Sequence, residues 1–329
     1  MSIMVPSDIV RKALASIEGR VVIGATQVAI TCLNAIANAS ISSTAKSPED
    51  FLMELSNIFT EFLKSSTCIR TYAPILLLNG FRSLIHEVKT GVENGLGVDE
   101  LKRLVPLTVN NFIKALKTSI DKIGELGSRY ILDGDIILTH ESSTTVLSIL
   151  ARANQSGRRF EVIVAETRPE FYGRTLAMAL ADLNIPVTLI IDSAHYKVMK
   201  KVSKVFLGAI AISPGGETLS KIGSAPIAHI AHENNIKVYV AANTHKFTAD
   251  FTVIEELSQR EGEASIVFSE EEAKRLGIKV LNPLYDIIPP KNIDYIITEK
   301  GAVPPQGAVL IAKETYGWPL VGLKLEDLT

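Results

Sequence analysis

The sequence predicts an α/β protein in which an N-terminal helical lobe precedes a parallel β-sheet with helices on both faces. Two observations indicate the sheet. Short runs rich in Val, Ile and Leu recur between residues 131 and 300, and apolar residues between the runs repeat at helical spacing. A third observation indicates the first lobe, because before residue 128 only the helical spacing is found.

The strands are predicted at six apolar runs, each of which ends on a polar or Gly-bearing turn. The runs cover residues 135–140, 160–167, 186–192, 204–212, 237–243 and 294–298. Ligands of a parallel sheet bind at the carboxyl ends of its strands, so the residues that close the runs are the first site candidates. These candidates are residues 140–141, 166–168, 192, 208–210 and 243–246.

The helices of the first lobe are predicted from apolar residues at three- and four-residue spacing. The segments cover residues 7–18, 24–39, 48–64, 73–90 and 98–125. We therefore predict a helical domain over residues 1–128 and an α/β domain over residues 129–329.

Composition excludes several classes of function. The chain has 329 residues and a formal net charge of −2. This charge gives no overall positive field that would attract nucleic acid or a membrane surface. Its apolar stretches are interrupted by charges, and its start lacks a basic segment before an apolar core, so a soluble, cytoplasmic protein is expected. Cys32 and Cys68 have no metal or redox spacing, and neither a metal nor a cofactor is expected.

Two lysines near predicted strand ends are typical of an anion site. Lys221 follows a Gly-rich turn and precedes a predicted helix, where free backbone N–H groups attract a phosphate. Lys246 follows the next strand, and lysines after consecutive parallel strands face one crevice. The alternative is that the glycines only permit the turn and that Lys221 is solvated.

Two further strand-end residues have both a functional and a structural interpretation. His245, beside Lys246, could act as a general base or be a structural histidine, since no carboxylate partner is visible in the sequence. The planar guanidinium group of Arg168 suits a phosphate or carboxylate ligand, and an ion pair with Glu166 is the alternative.

Six motifs in order resemble those of one superfamily. They cover residues 134–140, 166–169, 191–194, 221–224, 246–247 and 297–301. The chain resembles, over nearly its whole length, the alpha, beta and delta subunits of translation initiation factor 2B, ribose-1,5-bisphosphate isomerase and methylthioribose-1-phosphate isomerase. The resemblance implies that the second lobe is Rossmann-like, but the motifs do not distinguish the members.

Two positions distinguish the isomerases within the resemblance. It implies a cysteine directly after a Thr-His pair and an aspartate directly after a Gly-Ala pair, as the proton-transfer groups. This chain has Glu141 and Ile210 there. Isoleucine cannot exchange a proton, whereas Glu141 could act as a base if its pKa were tuned. We therefore expect no catalytic residue in this chain. Glu141 and Ile210 are degenerate versions of the two catalytic positions of the isomerases.

The resemblance also implies a set of phosphate-binding residues. The retained positions are Gly24, Ala25, Arg70, Ser143, Lys221 and Lys246. The chain departs from the isomerases at Ile23, where they have arginine, and at Ser220, where asparagine is expected. The anion-binding groups are therefore partly kept while the catalytic pair is missing.

These expectations favour a non-catalytic, initiation-factor-2B-like regulatory subunit that binds a phosphorylated small molecule. One alternative is a sugar-phosphate isomerase with Glu141 as a replacement base and His245 or a water as its partner. Another is a sugar-phosphate or nucleotide sensor unrelated to translation. The resemblance implies a homo-oligomer, dimer or hexamer, and a possible association with initiation factor 2 subunits.

A surface for that assembly is predicted near the end of the chain. The apolar residues 308–311, with Tyr316 and Trp318, offer interface material, although packing within the monomer explains them equally well.

Overall fold

The computed structural model describes residues 8–19, 22, 24–65, 74–249 and 252–316. The described residues divide into two compact units, one ending at Thr118 and the other beginning at Ser119. This division falls inside a long helix, Val98–Ser128. The domain boundary at residue 128 stays a prediction.

The first unit is helical, as the spacing predicts. Its helices are α1 Asp8–Glu18, α2 Ala25–Ile41, α3 Pro48–Ser65, α4 Pro74–Glu93 and α5 Val98–Ser128, the last of which continues into the second unit. Helix α3 begins at a proline and carries Glu49 and Asp50 in its first turn, where acidic side chains complement the helix dipole. Cys32 is fully buried on α2, and burial raises the pKa of its thiol. Cys68 lies outside the described residues.

The second unit contains a seven-stranded sheet with one strand in each of the six predicted runs. Its strands are β1 Ile136–Thr139, β2 Glu161–Ala165, β3 Val187–Ile190, β4 Lys204–Gly208, β7 Lys237–Ala241, β9 Tyr295–Thr298 and β10 Gly301–Val303. The strand order is β10-β9-β7-β4-β1-β2-β3. All neighbours pair in parallel except β10, an edge strand that pairs with β9 in antiparallel and was not predicted.

Apolar side chains fill a core on each face of this sheet. Successive strand residues alternate between the two cores: Ile137 and Val162 belong to one, and Leu138 and Ile163 to the other. The accompanying helices are α6 Thr144–Gln155, α7 Tyr172–Asp182, α8 His195–Met199, α9 Ser224–Glu233, α10 Thr252–Ser258, α11 Glu270–Leu276 and α12 Ala308–Tyr316. Burial on both faces explains why the central strands are continuous apolar runs in the sequence.

A second, three-stranded sheet corrects one predicted strand. It contains β5 Ala211–Ile212, β6 Thr218–Lys221 and β8 Tyr285–Ile288, all antiparallel. The predicted run 204–212 is therefore two strands in two sheets. The chain leaves the large sheet after Gly208, and the N–H of Ile210 donates to the carbonyl of Leu219 at 2.8 Å. Lys221 consequently lies at the end of an antiparallel strand, not after a parallel one.

The predicted interface segment is partly core. Ala308 and Ile311 are buried against the sheet, whereas Leu310 is 67% exposed. Trp318 lies outside the described residues. Across the described part of the chain, no helix combines the length and apolar character needed to cross a membrane.

Candidate functional site

The carboxyl ends of β1 and β2 are joined at Glu141. The backbone N–H of Glu141 donates to Thr167 Oγ1 at 2.9 Å. Both residues have left-handed backbone conformations, with φ values of 62° and 59°. Such conformations are uncommon for residues other than glycine and persist only where the surroundings hold them. The side chain of Glu141 is thereby directed by two strand ends and not by a flexible loop.

Gly208, the last residue of β4, admits Glu141 and Ser143 against its backbone. A Cβ at this position would overlap the Glu141 carboxylate and lie 2.7 Å from Ser143 Oγ. Ser143 is fixed in turn, because its hydroxyl caps α6 and lies 2.9 Å from Thr145 Oγ1. Glycine at 208 is therefore required by close packing of the site.

Lys246 carries a buried positive charge beside β4. Its ammonium donates to the carbonyl of Ala209 at 2.6 Å, and the residue is 5% exposed. Burial lowers the pKa of Lys246 and raises the pKa of Glu141, while the charge of each opposes the shift of the other. We treat them as a buried pair of opposite charge, in which each group stabilises the charged form of its partner.

Lys221 has a second carboxylate and two aromatic rings around it. Its Nζ lies 4.0 Å from Glu170 Oε1, and both side chains are 4% exposed. The same nitrogen lies 5.5 Å from the ring centroid of Tyr172 and 5.3 Å from that of Tyr285. Sequence reasoning missed Glu170, since no spacing or motif marks it and only the fold brings it to Lys221.

The residues Glu141, Ser143, Glu170, Lys221 and Lys246 are called the strand-end cluster below. The charge of Lys221 also acts on Glu141, which links the two lysines through one carboxylate. All five residues belong to the second unit. The cluster can therefore hold an anionic group among two ammonium groups and a hydroxyl, in a region with little exposure to water.

His140 directly precedes Glu141 and is a buried, neutral imidazole. Burial, with the charges of His195 and Lys221, lowers its pKa to about 3. Its Nε2 is 4.0 Å from Asp192 Oδ1, and with this pKa the contact is not an ion pair near neutral pH. On the other side, His140 Nδ1 lies 3.3 Å from Ser224 Oγ. His140 therefore adds no charge to the cluster near neutral pH.

Ser220 and Ile210 occupy two positions at which the resemblance implies other residues. The hydroxyl of Ser220 is buried and donates to the carbonyl of Gly208 at 3.0 Å. Ile210 is 6% exposed, so its hydrocarbon side chain is packed within the protein. Neither residue supplies an ionisable side chain.

Arg168 does not form an ion pair with Glu166. Glu166 pairs instead with Arg174, with its Oε2 2.7 Å from the guanidinium. The guanidinium of Arg168 is exposed and lies 5.1 Å from the ring centroid of Phe171. Its backbone N–H donates to Asp192 Oδ2 at 2.7 Å, which ties the end of β2 to the end of β3. Anion binding by Arg168 stays a prediction.

His245 has a carboxylate neighbour that the sequence did not reveal. Burial lowers the pKa of His245, and the charge of Glu299 opposes that shift. Glu299 also accepts a hydrogen bond from the N–H of Thr244 at 3.1 Å. The structure thus associates His245 with the end of β9.

The remaining predicted phosphate residues belong to the first unit. Gly24 precedes α2 with a φ of 83°, and Ala25 is the first residue of that helix. Arg70 and Ile23 lie outside the described residues. Within the described ranges, no three His, Cys, Asp or Glu side chains are grouped so that they could hold a metal ion.

Comparison with known proteins gives one family. The sequence profile of the Initiation factor 2 subunit family matches residues 21–305. The chain is 36% identical over 249 residues to the ribose 1,5-bisphosphate isomerase of Thermococcus kodakarensis, covering 75% of this chain and 77% of that protein. It is 30% identical over 240 residues to translation initiation factor eIF2B subunit delta of Dictyostelium discoideum, covering 69% and 38% respectively.

Solved structures confirm the α/β fold class. The translation initiation factor eIF-2B of Pyrococcus horikoshii OT3 superposes with a TM-score of 0.73 at 25% identity, covering 92% of this chain and 99% of that one. The tetrameric eIF2B-beta2-delta2 complex from C. thermophilum gives 0.69 at 20% identity, covering 93% and 94%. The predicted membership of the superfamily is confirmed by these comparisons. The similar proteins include both isomerases and initiation factor subunits, so the comparisons do not choose between the two functions.

The neutral state of His140 predicts a specific dependence of stability on pH. Its folded pKa is below the value of about 6.5 expected in the unfolded chain, so its contribution is present above that pH and is lost as the pH falls towards 3. From pH ~6.5 to ~5 the contribution lost is about 2 kcal/mol, at 1.36 kcal/mol per unit. His140→Gln should therefore show a shallower pH dependence of the free energy of unfolding.

Chemical denaturation at several pH values measures this difference. The matched control is His232→Gln, because His232 is exposed in the last turn of α9. An unchanged pH slope in His140→Gln would contradict the assignment of a neutral, buried imidazole.

Proposed function

Since the chain belongs to the Initiation factor 2 subunit family, we propose that it is a non-catalytic binding subunit of the initiation-factor-2B type. The strand-end cluster holds a phosphorylated small molecule, and the protein does not isomerise it. Regulation by that ligand and assembly with further copies of the chain or with initiation factor 2 subunits belong to the same proposal.

The observation that carries the proposal is Ile210. It follows Gly208 and Ala209, where the resemblance implies an aspartate, and it is a buried hydrocarbon. Aldose–ketose isomerisation moves a proton between carbon and oxygen atoms of the sugar, and a side chain without an ionisable group cannot take part. The nearby backbone is already used, since the carbonyl of Ala209 accepts from Lys246.

Binding is supported by the charges that remain. The two buried lysines supply ammonium groups, and Ser143 supplies a hydroxyl at the start of α6, where backbone N–H groups favour an anion. Glu141 and Glu170 offset part of the desolvation cost of these lysines, and a bound phosphate would add a further anionic partner. Gly24, Ala25 and Arg70 stay predicted phosphate residues on the resemblance alone.

One observation favours a second candidate, a sugar-phosphate isomerase with Glu141 as its base. Burial raises the pKa of Glu141, which brings a carboxylate closer to the range of a general base. Curated relatives named ribose 1,5-bisphosphate isomerase also favour it. An isomerase would also need a second proton-transfer group beside Glu141. Ile210 has no ionisable group, and the charged neighbour of His245 is Glu299 and not Glu141.

Incubation with ribose 1,5-bisphosphate separates the two candidates. We expect no ribulose 1,5-bisphosphate above the uncatalysed rate, because loss of one acid/base partner typically removes a factor of about 10² to 10⁴ and here both positions are changed. Glu141→Gln should behave as the wild type does. Turnover at an enzyme-like rate that is lost in Glu141→Gln would establish the isomerase instead.

Binding is tested by the change in unfolding free energy with ribose 5-phosphate. A ligand at 100 times its Kd stabilises a protein by about 2.7 kcal/mol. The double variant Lys221→Ala, Lys246→Ala should lose this ligand-dependent gain. The control is Lys274→Ala, Lys279→Ala, which removes two exposed lysines. An equal gain in the Lys221→Ala, Lys246→Ala protein would refute this placement of the anion site.

A further inference from the structure

Each buried lysine of the strand-end cluster has its own buried carboxylate. Lys246 is held beside Glu141 at the end of β4. Lys221 is 4.0 Å from Glu170, which reaches it from the turn between β2 and α7. In sequence, Glu170 is far from Lys221 and follows Pro169 directly. The cluster thus contains two lysine–glutamate pairs, and its two cations are compensated before any ligand arrives.

This compensation limits how much negative charge the cluster accepts. A phosphate monoester carries about −1.5 to −2 at neutral pH, and a sugar bisphosphate carries roughly twice that charge. In a region from which water is largely excluded, a carboxylate fixed beside Lys221 repels an incoming phosphate strongly. The repulsion by the fixed carboxylates therefore grows with the number of phosphate groups that a ligand brings to the cluster.

We propose that Glu170 is a specificity-determining residue, which makes the strand-end cluster select a sugar monophosphate over a sugar bisphosphate. The inference rests on the proposed function, since it assumes that the cluster binds a phosphorylated ligand. It adds the chemical class of that ligand and the residue that sets it.

The surroundings of Lys221 suit the sugar part of such a ligand. Tyr172 and Tyr285 flank the ammonium, with ring centroids 5.5 Å and 5.3 Å from Lys221 Nζ. The hydroxyl of Tyr285 is buried and has no hydrogen-bond partner among the described residues. A buried hydroxyl without a partner is costly, and a sugar hydroxyl would satisfy it.

The variant Glu170→Gln tests the proposal because it removes the charge and nearly keeps the shape. Titration calorimetry gives the Kd for ribose 5-phosphate and for ribose 1,5-bisphosphate. Wild type should prefer the monophosphate, and Glu170→Gln should shift the ratio of the two Kd values towards the bisphosphate by about tenfold. The control Glu233→Gln changes an exposed carboxylate at the end of α9 and should leave the ratio unchanged.

The outcomes separate this inference from the proposed function. Binding of both sugars with the same ratio in wild type and Glu170→Gln overturns the role of Glu170 and leaves the function standing. Absence of binding to both proteins overturns the two together. A second variant, Glu170→Asp, covers the case in which Glu170→Gln fails to fold. It retains the negative charge but moves it away from Lys221, so we expect a smaller shift of the Kd ratio in the same direction. An unchanged ratio in Glu170→Asp would count against the proposal.

Discussion

The hydrogen bond from the Lys246 ammonium to the carbonyl of Ala209, 2.6 Å long, is the interaction on which the site depends. It ties the segment after β7 to the point where the chain leaves β4, between the two sheets. A buried ammonium is tolerated only with a hydrogen-bonded acceptor and an opposite charge, and Glu141 supplies that charge. Gly208 lets Glu141 approach, so strand geometry and charge balance are set at one place.

This arrangement separates binding from chemistry. Ammonium groups, hydroxyls and a helix start can hold an anion without any side chain that changes its protonation. Proton transfer needs a protein side chain that lies beside the reacting carbon and can both bind and release a proton. Ile210 has no such group. The lysine–glutamate pairs also affect selectivity, because their fixed carboxylates limit the negative charge of the anion that can bind. A cluster of this kind can thus serve recognition.

The sequence predicts the large sheet well because its central strands are buried on both faces, which makes them continuous apolar runs. It fails where burial continues through a change of sheet: Ile210 and Ala211 are as apolar as β4, so periodicity does not mark the exit after Gly208. Pairings set only by tertiary structure were also missed. Glu166 pairs with Arg174 and not with Arg168, and Glu170 lies beside Lys221 although the two are far apart in the sequence.

The central claim is that this cluster has no proton-transfer pair for a bound sugar phosphate. The most direct measurement is exchange in D₂O: ribose 1,5-bisphosphate is incubated with the protein, recovered and examined by mass spectrometry for deuterium on carbon. We expect no incorporation of deuterium beyond that seen without protein. Deuterium on the carbon next to the reacting centre, at a rate proportional to protein concentration, would contradict it.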